Sequence, residues 1–371
     1  MSWLPSKLPT EPTFAWRAKL TNQGVGGIAA TSEVVLVSDR DAGDGSDIFR
    51  CLEARDGTER WFVRYPAPGR LDYGNSPRAT PLIHDGRAYL FGAMGTLTCV
   101  EIADGKIVWR RELQREFPST EKLPWGLASS PLIVDGKLIV QTSSRAATLL
   151  ALDPKSGRTL WQAPGDGPAF ASFVVATFGG RKQLIGYDRT SLGGWDPATG
   201  ERIWKLVPPQ ADDFNVPTPI VTVDALIVAS ENNGTRLYRF DAAGKIVPKP
   251  ESESFDLAPD THSPVLAGGR VFGIWGRLFC LDAKSLKEIY VADDEAFDDY
   301  ASLIASDDRV LALTQTGEIL LFDAKTPRLQ IIGRLKLFVD ATGVFSHPAL
   351  VGDRLYVRGN DEIVCLRLPP N

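Results

Sequence analysis

Short runs of Val, Ile and Leu alternate with polar turns along nearly the whole chain. Thr80-Pro81-Leu82-Ile83-His84-Asp85-Gly86-Arg87-Ala88-Tyr89-Leu90 places two apolar runs around Asp-Gly, and Ser130-Pro131-Leu132-Ile133-Val134-Asp135-Gly136-Lys137-Leu138-Ile139-Val140 does so again. Asp-Gly between two such runs predicts a tight β-hairpin. Later copies open at Thr218-Pro219-Ile220-Val221, Ser263-Pro264-Val265-Leu266 and His347-Pro348-Ala349-Leu350.

A second phrase follows each hairpin: two apolar positions, Asp or Glu, a few polar residues, Gly, then Trp four positions on. It runs from Cys51-Leu52-Glu53 through Gly57 to Trp61, and from Cys99-Val100-Glu101 through Gly105 to Trp109. It recurs from Ala151-Leu152-Asp153 through Gly157 to Trp161, and from Gly194-Trp195-Asp196 through Gly200 to Trp204. The Trp spacings are 48, 52 and 43 residues. Weaker copies stand at Tyr238-Arg239-Phe240-Asp241, Cys280-Leu281-Asp282, Leu321-Phe322-Asp323 and Cys365-Leu366-Arg367.

Each unit reads as strand, hairpin, strand, loop, strand, turn, strand. Four antiparallel strands per ~45 residues make one propeller blade. Units begin near 27, 76, 129, 171, 217, 262, 301 and 346, which predicts an all-β, eight-bladed β-propeller forming one domain over residues 1–371. The eighth unit ends after its third strand. Residues 13–20 carry Trp16, 45 positions before Trp61, and are expected to supply the missing outer strand and close the ring.

The repeated residues have architectural explanations. Gly takes positive φ in the last turn, Asp bonds that turn's backbone, and Trp packs between blades. Cys51, Cys99, Cys280 and Cys365 share one repeat position, which predicts free, buried thiols rather than a disulfide or a zinc site.

Composition narrows the function. Of 371 residues, 43% are hydrophobic and 23% charged, with a net charge of −5. That excludes a disordered chain and argues against a nucleic-acid binder, which presents a basic surface. No run nears the ~20 apolar residues of a membrane helix. Met1-Ser2-Trp3-Leu4-Pro5 has neither the basic nor the apolar region of a secretion signal.

Ala151-Leu152-Asp153-Pro154-Lys155-Ser156-Gly157-Arg158-Thr159-Leu160-Trp161 resembles the repeat of pyrroloquinoline-quinone (PQQ) dehydrogenases and of BamB-type assembly lipoproteins. Compact secreted PQQ-like propellers of planctomycete-type bacteria look closest, through Asp39-Arg40-Asp41, Tyr73-Gly74, Pro77-Arg78-Ala79-Thr80-Pro81, Gly92-Ala93-Met94-Gly95 and Asn232-Asn233-Gly234-Thr235. The resemblance implies a bacterial, secreted or periplasmic propeller. The quinone enzymes of the family add a vicinal Cys-Cys pair and Glu, Asn and Asp ligands for calcium. No adjacent cysteines occur here, so PQQ is not expected.

In a propeller, function belongs where the copies differ: the loops entering each first strand and those joining second to third strands. Aromatic and polar residues there give Tyr73, Arg78, Trp125, Asn215, Asn232, His262, Trp275, Tyr300 and His347 as ligand-binding candidates. His84 belongs to a hairpin and is read as surface. Asp39-Arg40-Asp41-Ala42-Gly43-Asp44-Gly45-Ser46-Asp47 resembles a D-x-D-x-D-G calcium loop with its third Asp displaced, so Asp39, Asp41, Asp44 and Asp47 are metal candidates against a plain solvated hairpin. The acidic run at 293–299 lacks ligand spacing and reads as a solvated connection. The favoured reading is a monomeric, non-catalytic scaffold that holds a peptide, protein or glycan on its loop face. The alternatives are a carbohydrate-active enzyme at the channel mouth and a quinoprotein oxidoreductase with altered ligands.

Overall fold

The structure is a computed structural model that describes residues 3–120, 122–339 and 343–369. The chain forms an eight-bladed β-propeller of four-stranded antiparallel blades. The first strands begin at Ala29, Leu82, Leu132, Val174, Ile220, Val265, Ala301 and Ala349. Packing divides the chain into two compact units. One holds blades one to three and eight; the other holds residues 165–314 and 319–334, which make up blades four to seven.

In the first unit, the eighth blade has strands Ala349–Val351, Arg354–Arg358 and Glu362–Arg367. Its fourth strand is Phe14–Lys19, paired antiparallel with Glu362–Arg367. The N-terminal strand therefore closes the last blade, as the spacing of Trp16 predicts.

The cross-strand register explains the cysteines. Cys51 lies opposite Trp61, Cys99 opposite Trp109, and Cys365 opposite Trp16. In the second unit Cys280 lies opposite Tyr290, and Gly194 opposite Trp204. Ala151 takes the same place opposite Trp161. A bulky ring on the fourth strand leaves room only for a small partner on the third. The ladder shifts register beside each of these pairs, so a β-bulge recurs in these six blades. All four thiols are buried and free.

The rings also join successive blades. Trp16, Trp61 and Trp109 donate their indole N–H to the carbonyls of Ala54, Ile102 and Pro154 at 2.9, 2.9 and 3.0 Å. Each indole covers the turn glycine three residues on, Gly57, Gly105 and Gly157, where a Cβ would come within 2.5–2.7 Å of the ring. Those glycines have φ of 74°, 72° and 71°. Trp204 departs from this arrangement. It lies against Gly194, and its N–H donates to Gln183 Oε1 at 2.6 Å; Gln183 Nε2 in turn donates to Gly244 O in blade five. In blade six, Leu286 occupies the turn-glycine place with φ 51° and is buried.

Asp153, Asp241 and Asp282 accept backbone N–H groups of their own turns. In blades one and two, Glu53 and Glu101 stand in that place. There Asp56 and Asp104, just before the glycine, cap the turn instead.

Candidate functional site

Strands alternate in direction within a blade, so the loop after the second strand and the loop after the fourth lie at the same end. The ligand candidates lie at this end of their blades. Each unit gathers its own group.

In the first unit Arg78 organises the loop entering blade two. It donates to the carbonyls of Asp72 (2.6 Å), Gly74 (2.7 Å), Tyr73 (3.4 Å) and Trp125 (3.3 Å). Burial lowers its pKa to about 10, against the pull of Asp47 and Asp72. Tyr73, Arg78 and Trp125 thus come together through the backbone, with every nitrogen of the guanidinium engaged. Tyr73 has φ 61°, and its ring is 77% exposed. His347 is exposed, with Nδ1 beside Pro348 O at 3.0 Å.

The loop at 39–47 keeps the exposed tip of a solvated hairpin at 42–45, but its flanks are buried. Asp39, Arg40 and Asp47 are buried, and arginines and backbone N–H groups meet all four carboxylates. Asp39 accepts from Thr21 N, Asn22 N, Arg40 N and Arg50 Nε, with Arg358 3.7 Å away. Burial works to raise its pKa, but these donors outweigh it and hold the group below the usual carboxylate range. Arg40 binds Asp44 Oδ1 (2.8 Å), Asp47 Oδ1 (2.6 Å) and the carbonyls of Asp44 and Ala67. Asp41 accepts from Gly45 N, Ser46 N and Arg64. Burial pushes Asp47 up to about 6, outweighing the opposing pull of Arg40, Tyr65 and Arg78. Among the described residues, no three His, Cys, Asp or Glu side chains are grouped to hold a metal ion.

In the second unit the loop entering blade five is laced to the loop at 231–233. Asn233 accepts from Gln210 N and donates to Gln210 O and Asp213 Oδ2. Asn232 N donates to Asp213 Oδ1 at 2.8 Å, and Phe214 N to Glu231 Oε1 at 2.6 Å. Asn215, left-handed at φ 53°, donates through Nδ2 to Arg189 O at 3.2 Å. Burial raises the Glu231 pKa, and the nearby carboxylates of Asp213 and Asp260 add to the rise. His262 is buried and stacks on Tyr300, with centroids 5.2 Å apart at 29°. Burial lowers its pKa, against the pull of Asp260 and Asp299. Trp275 is 42% exposed at a hairpin tip.

Among the acidic residues at 293–299, Asp294 caps the short turn Glu295–Phe297 and pairs with Arg334, while Phe297 is fully buried. Asp293, Glu295, Asp298 and Asp299 are exposed, as a solvated connection requires, while Phe297 anchors the stretch to the core. No local pattern marks Arg358, whose partners Asn22 and Asp39 lie more than 300 residues away in the chain, or Phe255, which follows a weakened repeat copy with no marker residue.

The organisation matches known proteins at several levels. Outer membrane protein assembly factor BamB of Shewanella oneidensis is 24% identical over 312 residues, covering 76% of this chain and 69% of that protein. BamB of Yersinia pestis is 24% identical over 150 residues, and the match spans 40% of this chain and only 35% of that protein's length. Among solved structures, BamB from Moraxella catarrhalis superposes with a TM-score of 0.65 at 16% identity, over 96% of this chain and 100% of that one. A quinohemoprotein alcohol dehydrogenase from Pseudomonas putida HK5 gives 0.69 at 12% identity, over 99% and 78%. These structural likenesses establish the fold alone. The family model described as outer membrane protein assembly factor BamB matches residues 44–290, and the chain belongs to that family.

Proposed function

We propose that this propeller is a non-catalytic scaffold on the periplasmic side of a bacterial outer membrane. It works as a monomer and holds a protein or peptide segment against the loop end of its blades. The observation that carries the reading is how the polar candidates are spent. Arg78, Asn232 and Asn233 tie loops to one another, while the rings of Tyr73, Phe214 and Trp275 stay exposed. A reaction centre needs a nucleophile, base or acid converging on one point; a docking surface needs rigid loops presenting apolar rings. The BamB relatives, named as assembly factors, support the same reading.

The quinoprotein alternative fares poorly on donor chemistry. The four cysteines sit on separate blades, and the carboxylates at 39–47 already meet arginines and N–H groups. These residues do not fit a quinone held under a vicinal disulfide with calcium.

The test is site-specific photo-crosslinking in living bacteria, with the photoreactive residue at Tyr73, at Trp275, and at Val223 at the opposite end of blade five. The expected result is a discrete crosslinked protein from Tyr73 or Trp275 and none from Val223. Equal labelling from all three positions, or none, removes the scaffold reading. A saturable thermal shift with PQQ plus calcium, but not with calcium alone, would replace it with the quinoprotein.

A further inference from the structure

The loop end of blades four to six is unevenly charged. Loops 207–219, 231–233 and 255–264 carry Asp212, Asp213, Glu231, Asp256 and Asp260 and no lysine or arginine, while two hairpin tips at the same end bring Arg189 and Arg277, the latter paired with Asp293 at 3.0 Å. The opposite end of blade five is balanced: Lys245 and Lys249 lie in its last turn, and Arg239 pairs with both Asp224 and Glu251. The asymmetry is therefore a property of one end, not of the net charge of the chain.

The same end exposes aromatic rings. Phe214, Phe255 and Trp275 are 47%, 65% and 42% exposed, on three different loops. In this unit, no other aromatic ring ranks among the large exposed hydrophobics of the described residues. Rings rimmed by carboxylates suit a ligand with both apolar and cationic surface.

A third observation comes from the residues beside Phe214. Asn215, next to Phe214, is only 2% exposed, and its Oδ1 accepts no hydrogen bond. Glu231 Oε2 is likewise buried and without a donor. Two buried acceptors lacking donors, in loops that carry these carboxylates, call for N–H groups from outside. A guanidinium carries five N–H donors, is planar, and stacks on aromatic faces; an ammonium does none of this as well.

We propose that the loop end of blades four and five, with Trp275 of blade six, docks an arginine-bearing segment of a partner protein. Guanidinium groups meet Glu231, Asn215 and the rim carboxylates of Asp212 and Asp256, while Phe214, Phe255 and Trp275 cover the aliphatic parts. The proposal deepens the scaffold reading and rests on it.

The test is fluorescence anisotropy with a labelled nine-residue peptide of alternating arginine and leucine. The control peptide has glutamate for arginine. The expected result is saturable binding of the arginine peptide alone, weakening as salt shortens the screening length. Asp212→Lys with Asp256→Lys is expected to weaken it by about tenfold, and Phe255→Ala with Trp275→Ala by about fivefold. Glu201→Lys with Asp307→Lys makes the same charge change at the opposite end and is expected to leave affinity within about twofold. All six sites are exposed, and circular dichroism confirms the fold of each variant. The absence of saturable binding, or equal loss from both charge reversals, overturns the proposal. That failure is separable from failure of the scaffold reading, because crosslinks from Tyr73 would persist when only this docking mode is wrong.

Discussion

Cys51 stands directly across the sheet from Trp61, and the Trp61 indole reaches over Gly105 of the next blade. One ring thus sets two requirements: a small residue opposite it and a residue without Cβ beneath it. The same pair of demands recurs at Cys99, Trp109 and Gly157, and at Cys365, Trp16 and Gly57.

The turn glycines should therefore be far less replaceable than the hairpin glycines, although their φ values agree. Gly105 and Gly86 have φ of 72° and 74°, but a Cβ at Gly105 meets Trp61 at 2.6 Å, whereas one at Gly86 meets nothing within 4 Å. Gly86→Ala should cost only the left-handed backbone term, about 1–2 kcal/mol. Gly105→Ala should add an overpacking term of about 1–3 kcal/mol. Urea unfolding of the two variants side by side checks this; equal losses would refute the account of the indole contact.

The cysteines should be inert in the native state. Burial pushes Cys51 up to about 12 and Cys99, Cys280 and Cys365 to about 11, so thiolate is scarce at neutral pH. Ellman's reagent should detect no reactive thiol in folded protein and four in guanidinium chloride. Replacing Cys99 by Leu should destabilise by about 1–3 kcal/mol, because Trp109 leaves no room opposite.

The architecture was legible because it rests on local spacing. A Gly-to-Trp offset of four and a period near 45 can be counted along the chain, and the closing strand shows itself through Trp16. The buried charges were not legible, because their partners are distant in sequence. By local pattern Asp39, Asp41, Asp44 and Asp47 are metal candidates or a solvated hairpin, but Arg358 lies 319 positions from Asp39 and Arg40 reaches Ala67 across the sheet. Among the candidates, Arg78 was visible as a residue that breaks the repeat. Its role as a donor to four carbonyls depends on Trp125, 47 positions on, and no short motif encodes that. Leu286 weakens the copy in its blade by standing where the pattern expects glycine.

Arg78 should act on loop order. Losing its charge-assisted bonds to backbone carbonyls should cost roughly 2 kcal/mol. Arg78→Met is expected to lower the urea midpoint and make residues 67–80 sensitive to limited proteolysis. Arg78→Lys should resemble Met more than Arg, since one ammonium cannot span Asp72, Gly74 and Trp125. Full rescue by lysine would show that charge alone, not the planar fork, holds the loop.

The pH dependence should separate Asp47 from Asp39. Asp47 is raised from 3.8 to about 6, so the folded state binds its proton more tightly than the unfolded chain does. The groups facing it are Arg40, Arg78 and Tyr65. Its contribution is most favourable below pH 4 and is lost as pH rises through 6, a change of order 3 kcal/mol. Asp39 is lowered, so its stabilisation is present above pH 4 and is lost only on further acidification. Between pH 4 and 7, the stability of the wild type relative to Asp47→Asn should therefore fall as pH rises. Asp39→Asn should leave that slope unchanged. Urea midpoints taken at half-unit steps across this window measure both. A wild-type advantage that grows with pH would mean that the Arg40 ion pair, rather than desolvation, controls Asp47.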